Sequence, residues 1–197
     1  MKIFSIEEIK DLLISIAVLT LVFSFKPFPT VGIDYQMLPQ YAIAVIIVFM
    51  LHQLVHKFVA MKFGCITIYK IWPNGIFFGL ILMLIGIPFA APGVIMIYPY
   101  FFGRWGYKVK RMTTTETGLI GLSGPATNIL FAIIFTFFSG QFFNTLTLVS
   151  AWIAFFNLLP VPPLDGSKVM EWRIWVWGLM IALSVLLIAL SMGMIPL

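Results

Sequence analysis

His52 and His56 are the only two histidines in the chain, and they flank Gln53-Leu54-Val55 inside a segment that is otherwise almost entirely apolar. On an α-helix, residues i and i+4 project from one face, so both imidazoles can address a single ion. His-x-x-x-His on a helix is a zinc-binding spacing, and where it serves metal-dependent peptide hydrolysis the second position is a glutamate acting as general base. That position is Gln53 here. A carboxamide can hydrogen-bond, but it cannot shuttle protons near neutral pH.

A third ligand is required, and there is no third histidine. Asp165 is the best candidate, because it follows an expected helix end and closes the charge-free run 117–164. The competing reading is a turn aspartate before Gly166. A His₂Asp set would leave one zinc position open for water, as catalytic zinc requires, and would lower the pKa of that water to about 7. The competing reading of the histidines is a hydrogen-bonded interior pair that stabilises helix packing.

The elements that must carry these groups follow from composition. The 197 residues are 61% hydrophobic and 10% charged, far from the roughly 25% charged residues of soluble domains. This is the composition of an integral membrane protein, a setting in which buried ionisable groups are costly and usually functional. Charge-free windows cover 12–25, 71–103, 117–164 and 174–197, and a spanning helix needs about 20 mostly apolar residues. The formal charge of +5 does not indicate nucleic acid, since the basic residues form no dense cluster and fit juxtamembrane positions. Cys65 is the only cysteine, so no intrachain disulfide can form. Glu7, Glu8 and Asp11, without a small-residue cleavage site, make the first span an expected retained anchor rather than a signal peptide.

In chain order, Ser5 with Glu8 is a capping-box pattern that starts a first span over about 6–26. A short external turn covers 29–34, and a second helix over 38–61 carries the histidines in its last third. Residues 71–103 contain no charge but are broken by Pro73, Gly75, Gly79, Gly86, Pro88, Pro92, Gly93 and Pro99, which argues against one straight helix. Around a Pro73-Asn74-Gly75 turn, 66–72 and 94–102 have strand-like character. Irregular backbone at membrane depth must be covered by protein or a watery cavity, so this segment is expected against the site. Thr113 with Glu116 is a second capping box, opening a helix over 118–138. The small residues Gly118, Gly121, Ser123, Gly124 and Ala126 let neighbouring backbones approach it. A helix over 144–159, a polar interfacial segment over 167–173 and a last span over 174–195 complete the chain. The expected fold is a single-domain, all-α polytopic membrane protein with about five transmembrane helices and a re-entrant or interfacial strand-like segment between the second and third.

Should His52, His56 and Asp165 share a metal, the two helices ending near them must cross in the same direction. The helix over 118–138 supplies the reversal, so 71–103 must make an even number of crossings. The histidine side then holds every lysine and arginine except Lys26, and positive-inside bias places that side in the cytoplasm. Treating 80–91 as a full crossing nearly erases the bias.

The chain resembles the site-2 protease family of intramembrane zinc metalloproteases, particularly its short archaeal members. The likeness covers about 39–173 and rests on His52-Gln53-Leu54-Val55-His56-Lys57, Ser123-Gly124-Pro125-Ala126-Thr127-Asn128, and Asn157-Leu158-Leu159-Pro160 leading to Leu164-Asp165-Gly166. It implies one zinc ion held by His52, His56 and Asp165, with Asn128 and Asn157 near the substrate carbonyl or the metal water. Those asparagines otherwise read as interhelical hydrogen-bonding residues. The implied substrate is a transmembrane segment of another protein, unwound locally so that its carbonyls can be attacked, and 66–72 and 94–102 could clamp it by edge pairing.

Gln53 departs from the family's glutamate, and loss of a general base typically costs about 10²- to 10⁴-fold in rate. Neither Glu7, Glu8, Glu116 nor Glu171 is an evident replacement. The expectation is a zinc-binding chain with weak or absent peptide hydrolysis. An exchange introduced to trap substrate and a natural pseudoprotease that binds membrane segments both fit, and a small metal transporter is the remaining class.

Overall fold

The computed structural model describes residues 4–103, 106–109 and 111–195. Arg104 and Lys110, part of the basic stretch after the strand-like segment, lie outside the described residues. Both capping boxes form. Ser5 Oγ accepts from Glu8 N at 3.1 Å while Glu8 Oε2 accepts from Ser5 N at 2.9 Å, opening α1 (Ile6–Ser24). Thr113 and Glu116 make the same exchange to open α4 (Thr114–Thr136). An N-cap of this kind is worth about 1 kcal/mol.

A short hairpin, β1 (Phe25–Lys26) with β2 (Gly32–Ile33), turns α1 into α2 (Leu38–Lys62). β3 (Ile66–Ile71) pairs antiparallel with β4 (Gly93–Tyr98), and the last residue of one lies opposite the first of the other: Ile71 faces Gly93. Whatever lies between them therefore leaves the sheet and returns to it, making no net crossing. Between them is α3 (Pro73–Leu84), which corrects the expected Pro73-Asn74-Gly75 turn. Proline at the first helical position has no amide hydrogen to lose and already holds a helical φ, so it starts this helix. Gly75 permits the start, since an added Cβ would strike Ala91 O and the Trp72 ring. β5 (Tyr100–Gly103) and β6 (Gly106–Val109) form a further hairpin.

The bundle is completed by α5 (Gln141–Asn157), α6 (Asp165–Trp172) and α7 (Ile174–Ser191). The expected interfacial segment after Asp165 is thus a two-turn helix. Gln40 Nε2 donates to Thr145 Oγ1 at 2.7 Å, joining the starts of α2 and α5, whereas the end of α2 meets the start of α4 through His56 and Ile120. So α2 and α5 run in the same direction and α4 runs against them.

Among the described residues, three helices, α2, α4 and α7, are long and apolar enough to cross a membrane. The other two expected spans fall outside that group for different reasons. α1 carries Glu7, Glu8, Lys10 and Asp11 in its first turns, and α5 has 17 residues. α5 is nonetheless the most enclosed element. Leu146, Val149, Ile153 and Phe156 join a core with α1, α2 and the β3–β4 sheet, while Ala151, Ala154 and Leu158 join a second core with α4 and α7.

Candidate metal centre

Three side chains from two elements, α2 and α6, converge where the end of α2, the first half of α4 and the start of α6 meet. His56 Nε2 lies 3.0 Å from His52 Nε2 and 3.1 Å from Asp165 Oδ2, and His52 Nε2 lies 3.8 Å from the same oxygen. All three residues are buried, His56 completely. The i, i+4 spacing places the two rings on one face of α2, edge to face with their planes at 66°, and Asp165 enters because the loop after α5 turns back to begin α6 beside them. Gly166 allows this fold-back, since an added Cβ would collide with Leu158 O at the end of α5.

The hydrogen bonds around the rings define what the inward nitrogens can do. His56 Nδ1–H donates to Ile120 O at 2.8 Å, so Nε2 is the nitrogen that faces the carboxylate. In the neutral ring Nε2 is a lone pair, and two acceptors held 3.1 Å apart need a positive charge between them, supplied by a proton on the ring or by a metal ion. On the other ring, Asn128 Nδ2 donates to His52 Nδ1 at 3.1 Å, while Asn128 Oδ1 is buried without a partner. Turning the amide over lets Oδ1 accept from an Nδ1–H and frees the second Nε2 lone pair. Outer hydrogen bonds of this type orient metal-binding imidazoles.

Asp165 is suited to be ionised. Burial alone would raise its carboxyl pKa, but the Lys168 ammonium and the two imidazoles outweigh it and hold the group well below the usual carboxylate range. The oxygen not facing the rings, Oδ1, accepts from Lys168 Nζ at 2.8 Å.

These donors fit a tetrahedral divalent ion. Bonds of about 2.0–2.1 Å at tetrahedral angles set neighbouring donor atoms about 3.3 Å apart, and the observed separations of 3.0, 3.1 and 3.8 Å straddle that value. Gly124 supplies the space: a Cβ there would strike His56 Nε2 and come within 2.6 Å of His52 Nε2. Among the described residues, His52, His56 and Asp165 form the one group of three such side chains able to hold a metal.

A small cavity opens beside the centre, lined among others by His52, Gln53, Gly93, Ile95, Asn157 and Asp165. Gln53 Oε1 is buried without a partner, which leaves an unused acceptor beside the cavity. Asn157 Nδ2 donates to Ile153 O at 2.8 Å on its own helix. Of the two asparagines expected near the site, Asn128 touches the His52 ring and Asn157 lines the cavity.

One feature had no signal in the local sequence. α1 lies against the outer edge of β3: Tyr69 N donates to Glu8 Oε1 at 2.9 Å, Ile71 N donates to Asp11 Oδ2 at 3.2 Å, and Lys57 Nζ donates to Thr67 O at 2.8 Å. Facing residues of an antiparallel pair point their backbone groups toward each other or away from each other in alternation. Opposite Thr67, Tyr69 and Ile71 stand Ile97, Ile95 and Gly93, whose N–H and C=O groups accordingly point away from β3. One edge of the sheet is thus capped by α1, and the other reaches the cavity at Gly93 and Ile95.

The chain is 33% identical over 186 residues to a protein of Methanocaldococcus jannaschii named as a candidate zinc metalloprotease, an alignment covering 89% of this chain and 90% of that protein. It is 32% identical over 161 residues to a Bacillus subtilis protein named in the same way, covering 69% of each. No family model matches the chain, and no solved structure matches it.

Proposed function

Because the chain belongs to the zinc metalloprotease family of these two relatives, we propose that His52, His56 and Asp165 are its zinc ligands, within an intramembrane protease scaffold of the site-2 type whose general-base position is filled by Gln53. The observation that carries this reading is the convergence of two Nε2 atoms and one carboxylate oxygen, at 3.0, 3.1 and 3.8 Å, against a helix whose Gly124 leaves room for an ion. Zinc, when bound, supplies a Lewis acid that polarises a peptide carbonyl and makes water acidic near neutral pH.

The protein residues do the rest. His56 is fixed by Ile120 O and His52 by the Asn128 amide. The outward backbone of Gly93 and Ile95 offers donors and acceptors to an extended chain, the mode by which a peptide adds to a sheet edge. A transmembrane helix hides its carbonyls in its own hydrogen bonds, so a substrate segment must unwind before it can use that edge. Gln53 faces the same cavity and can orient a ligand through its amide, yet cannot accept a proton and pass it to a leaving amine.

By chain order, every lysine and arginine among the described residues except Lys26 belongs to the end of the bundle that holds the histidines, which supports a cytoplasmic position for the centre. Gln53 also favours a second reading, a non-catalytic protein of the same fold that holds membrane segments.

Gln53→Glu separates the two. Assayed on a membrane-spanning substrate in liposomes, the glutamate variant is expected to cleave at least about 10²-fold faster than the parent, and only with zinc. No gain in a variant that still binds zinc would favour the binding protein.

A further inference from the structure

We propose that Lys168 is a positioning residue for the metal centre: by holding Asp165 Oδ1 it limits that carboxylate to one coordinating oxygen, Oδ2. The proposal rests on the reading of Asp165 as a metal ligand and extends it to a residue outside the ligand set.

The two oxygens of Asp165 have different partners. Oδ2 faces both imidazoles, at 3.1 and 3.8 Å, and Oδ1 accepts from Lys168 Nζ at 2.8 Å. A carboxylate that chelates an ion turns both oxygens toward it, so the ammonium must be displaced for chelation to occur. Asp165 is also the first residue of α6, where a carboxylate commonly serves the exposed N–H groups of the helix start. α6 has no side-chain cap, and both oxygens are committed elsewhere.

An i, i+3 lysine–aspartate pair on a helix is ordinarily a solvated surface contact worth a few tenths of a kcal/mol. This pair differs in being enclosed, the side chains being 19% and 7% exposed. The lysine stem is also guided from another helix. It lies across Gly121 of α4, where an added Cβ would come within 3.1 Å of Lys168 Cβ and 3.3 Å of its Cδ. A side chain at 121 would push the stem aside, so the path of the ammonium to Oδ1 depends on a missing side chain on the neighbouring helix. The consequence is a three-donor site with an open position, rather than one closed by a second carboxylate oxygen. The ammonium also withdraws negative charge from the carboxylate, leaving more positive charge on the ion.

The test uses the full chain in detergent, with zinc affinity measured by chelator competition and cobalt(II) absorption as a reporter of coordination number. Lys168→Met is expected to weaken the visible cobalt bands, as a five-coordinate ion absorbs less than a tetrahedral one, and to raise zinc affinity, since a second carboxylate oxygen and the loss of a neighbouring ammonium both favour the cation. Lys168→Arg should keep both near the parent. Gly121→Ala, whose methyl group meets the Lys168 stem and, at 3.2 Å, the backbone oxygen of Asp165 while the ammonium is retained, should weaken the cobalt bands as Lys168→Met does and by less. Unchanged affinity and an unchanged spectrum in Lys168→Met, or in Gly121→Ala should the first variant not fold, would overturn the proposal while leaving the ligand set intact. Full metal binding by Asp165→Ala would instead refute the ligand reading beneath it.

Discussion

His56 and Lys57 are neighbours in the chain, yet their side chains end in buried polar clusters that balance charge in different ways. Lys57 Nζ donates to Glu8 Oε1 at 2.7 Å and to Thr67 O at 2.8 Å, and lies 4.7 Å from the centre of the Phe4 ring. Every strong group there has a partner of opposite character, and Glu8 spends its remaining capacity on the backbone N–H groups of Tyr69 and Ser5. His56 points instead at another imidazole nitrogen and a carboxylate oxygen. The first cluster is closed by the protein alone and joins α1, α2 and β3. The second gathers acceptors and is completed by a cation from outside. The difference teaches that burial and polarity do not by themselves mark a functional site; an excess of acceptors does.

Breaking the self-contained cluster should have the largest effect. Glu8→Gln or Lys57→Met leaves an unpaired buried charge or donor, with an expected loss of about 3–5 kcal/mol, measured by unfolding in detergent. The loss should be the same with and without chelator, and the double variant should recover most of it. A chelator-dependent loss would mean that the two clusters are not separate.

Gly124→Ala probes the other cluster without replacing a ligand. Its methyl group would fall against both Nε2 atoms, and overpacking of this kind costs about 1–3 kcal/mol. Zinc binding should be abolished, which metal analysis would reveal. Retained zinc would show that the rings face the ion differently.

The smallest effect is expected at Ser15, which shares a 2.7 Å hydrogen bond with Tyr69 Oη and extends the α1–sheet contact. Ser15→Ala should cost about 0.6 kcal/mol, the average for polar contacts between membrane helices. Zinc content should not change.

The two clusters also differ in how far they could be read from the sequence. His52, His56 and Asp165 were visible because i, i+4 spacing is local, and because a lone acid after a long apolar run stands out. The two capping boxes and the β3 and β4 segments were visible for similar reasons, each being a pattern within a few residues. The Lys57–Glu8 pair was not. Lys57 read as a basic residue flanking a span, and Glu8 as half of a capping box, a role it does fill while also binding residues 49 and 61 positions away. Nothing local announces such partners. α3 was missed because Pro-Asn-Gly serves both as a turn signal and as a helix start, and only packing against Ala91 and Trp72 decides between them. The count of five spans rests on apolar length, which does not reveal that α5 is enclosed by other helices or that the first turns of α1 are committed to a sheet edge.

The central claim, that the acceptor-rich cluster holds one zinc ion through His52, His56 and Asp165, is tested most directly by the zinc content of the purified chain beside its His56→Ala and Asp165→Ala variants and the Glu8→Gln/Lys57→Met double variant. One zinc per chain in the parent and the double variant, with loss in the two ligand variants, is the predicted result. A parent without affinity for zinc, or undiminished zinc in Asp165→Ala, would contradict it.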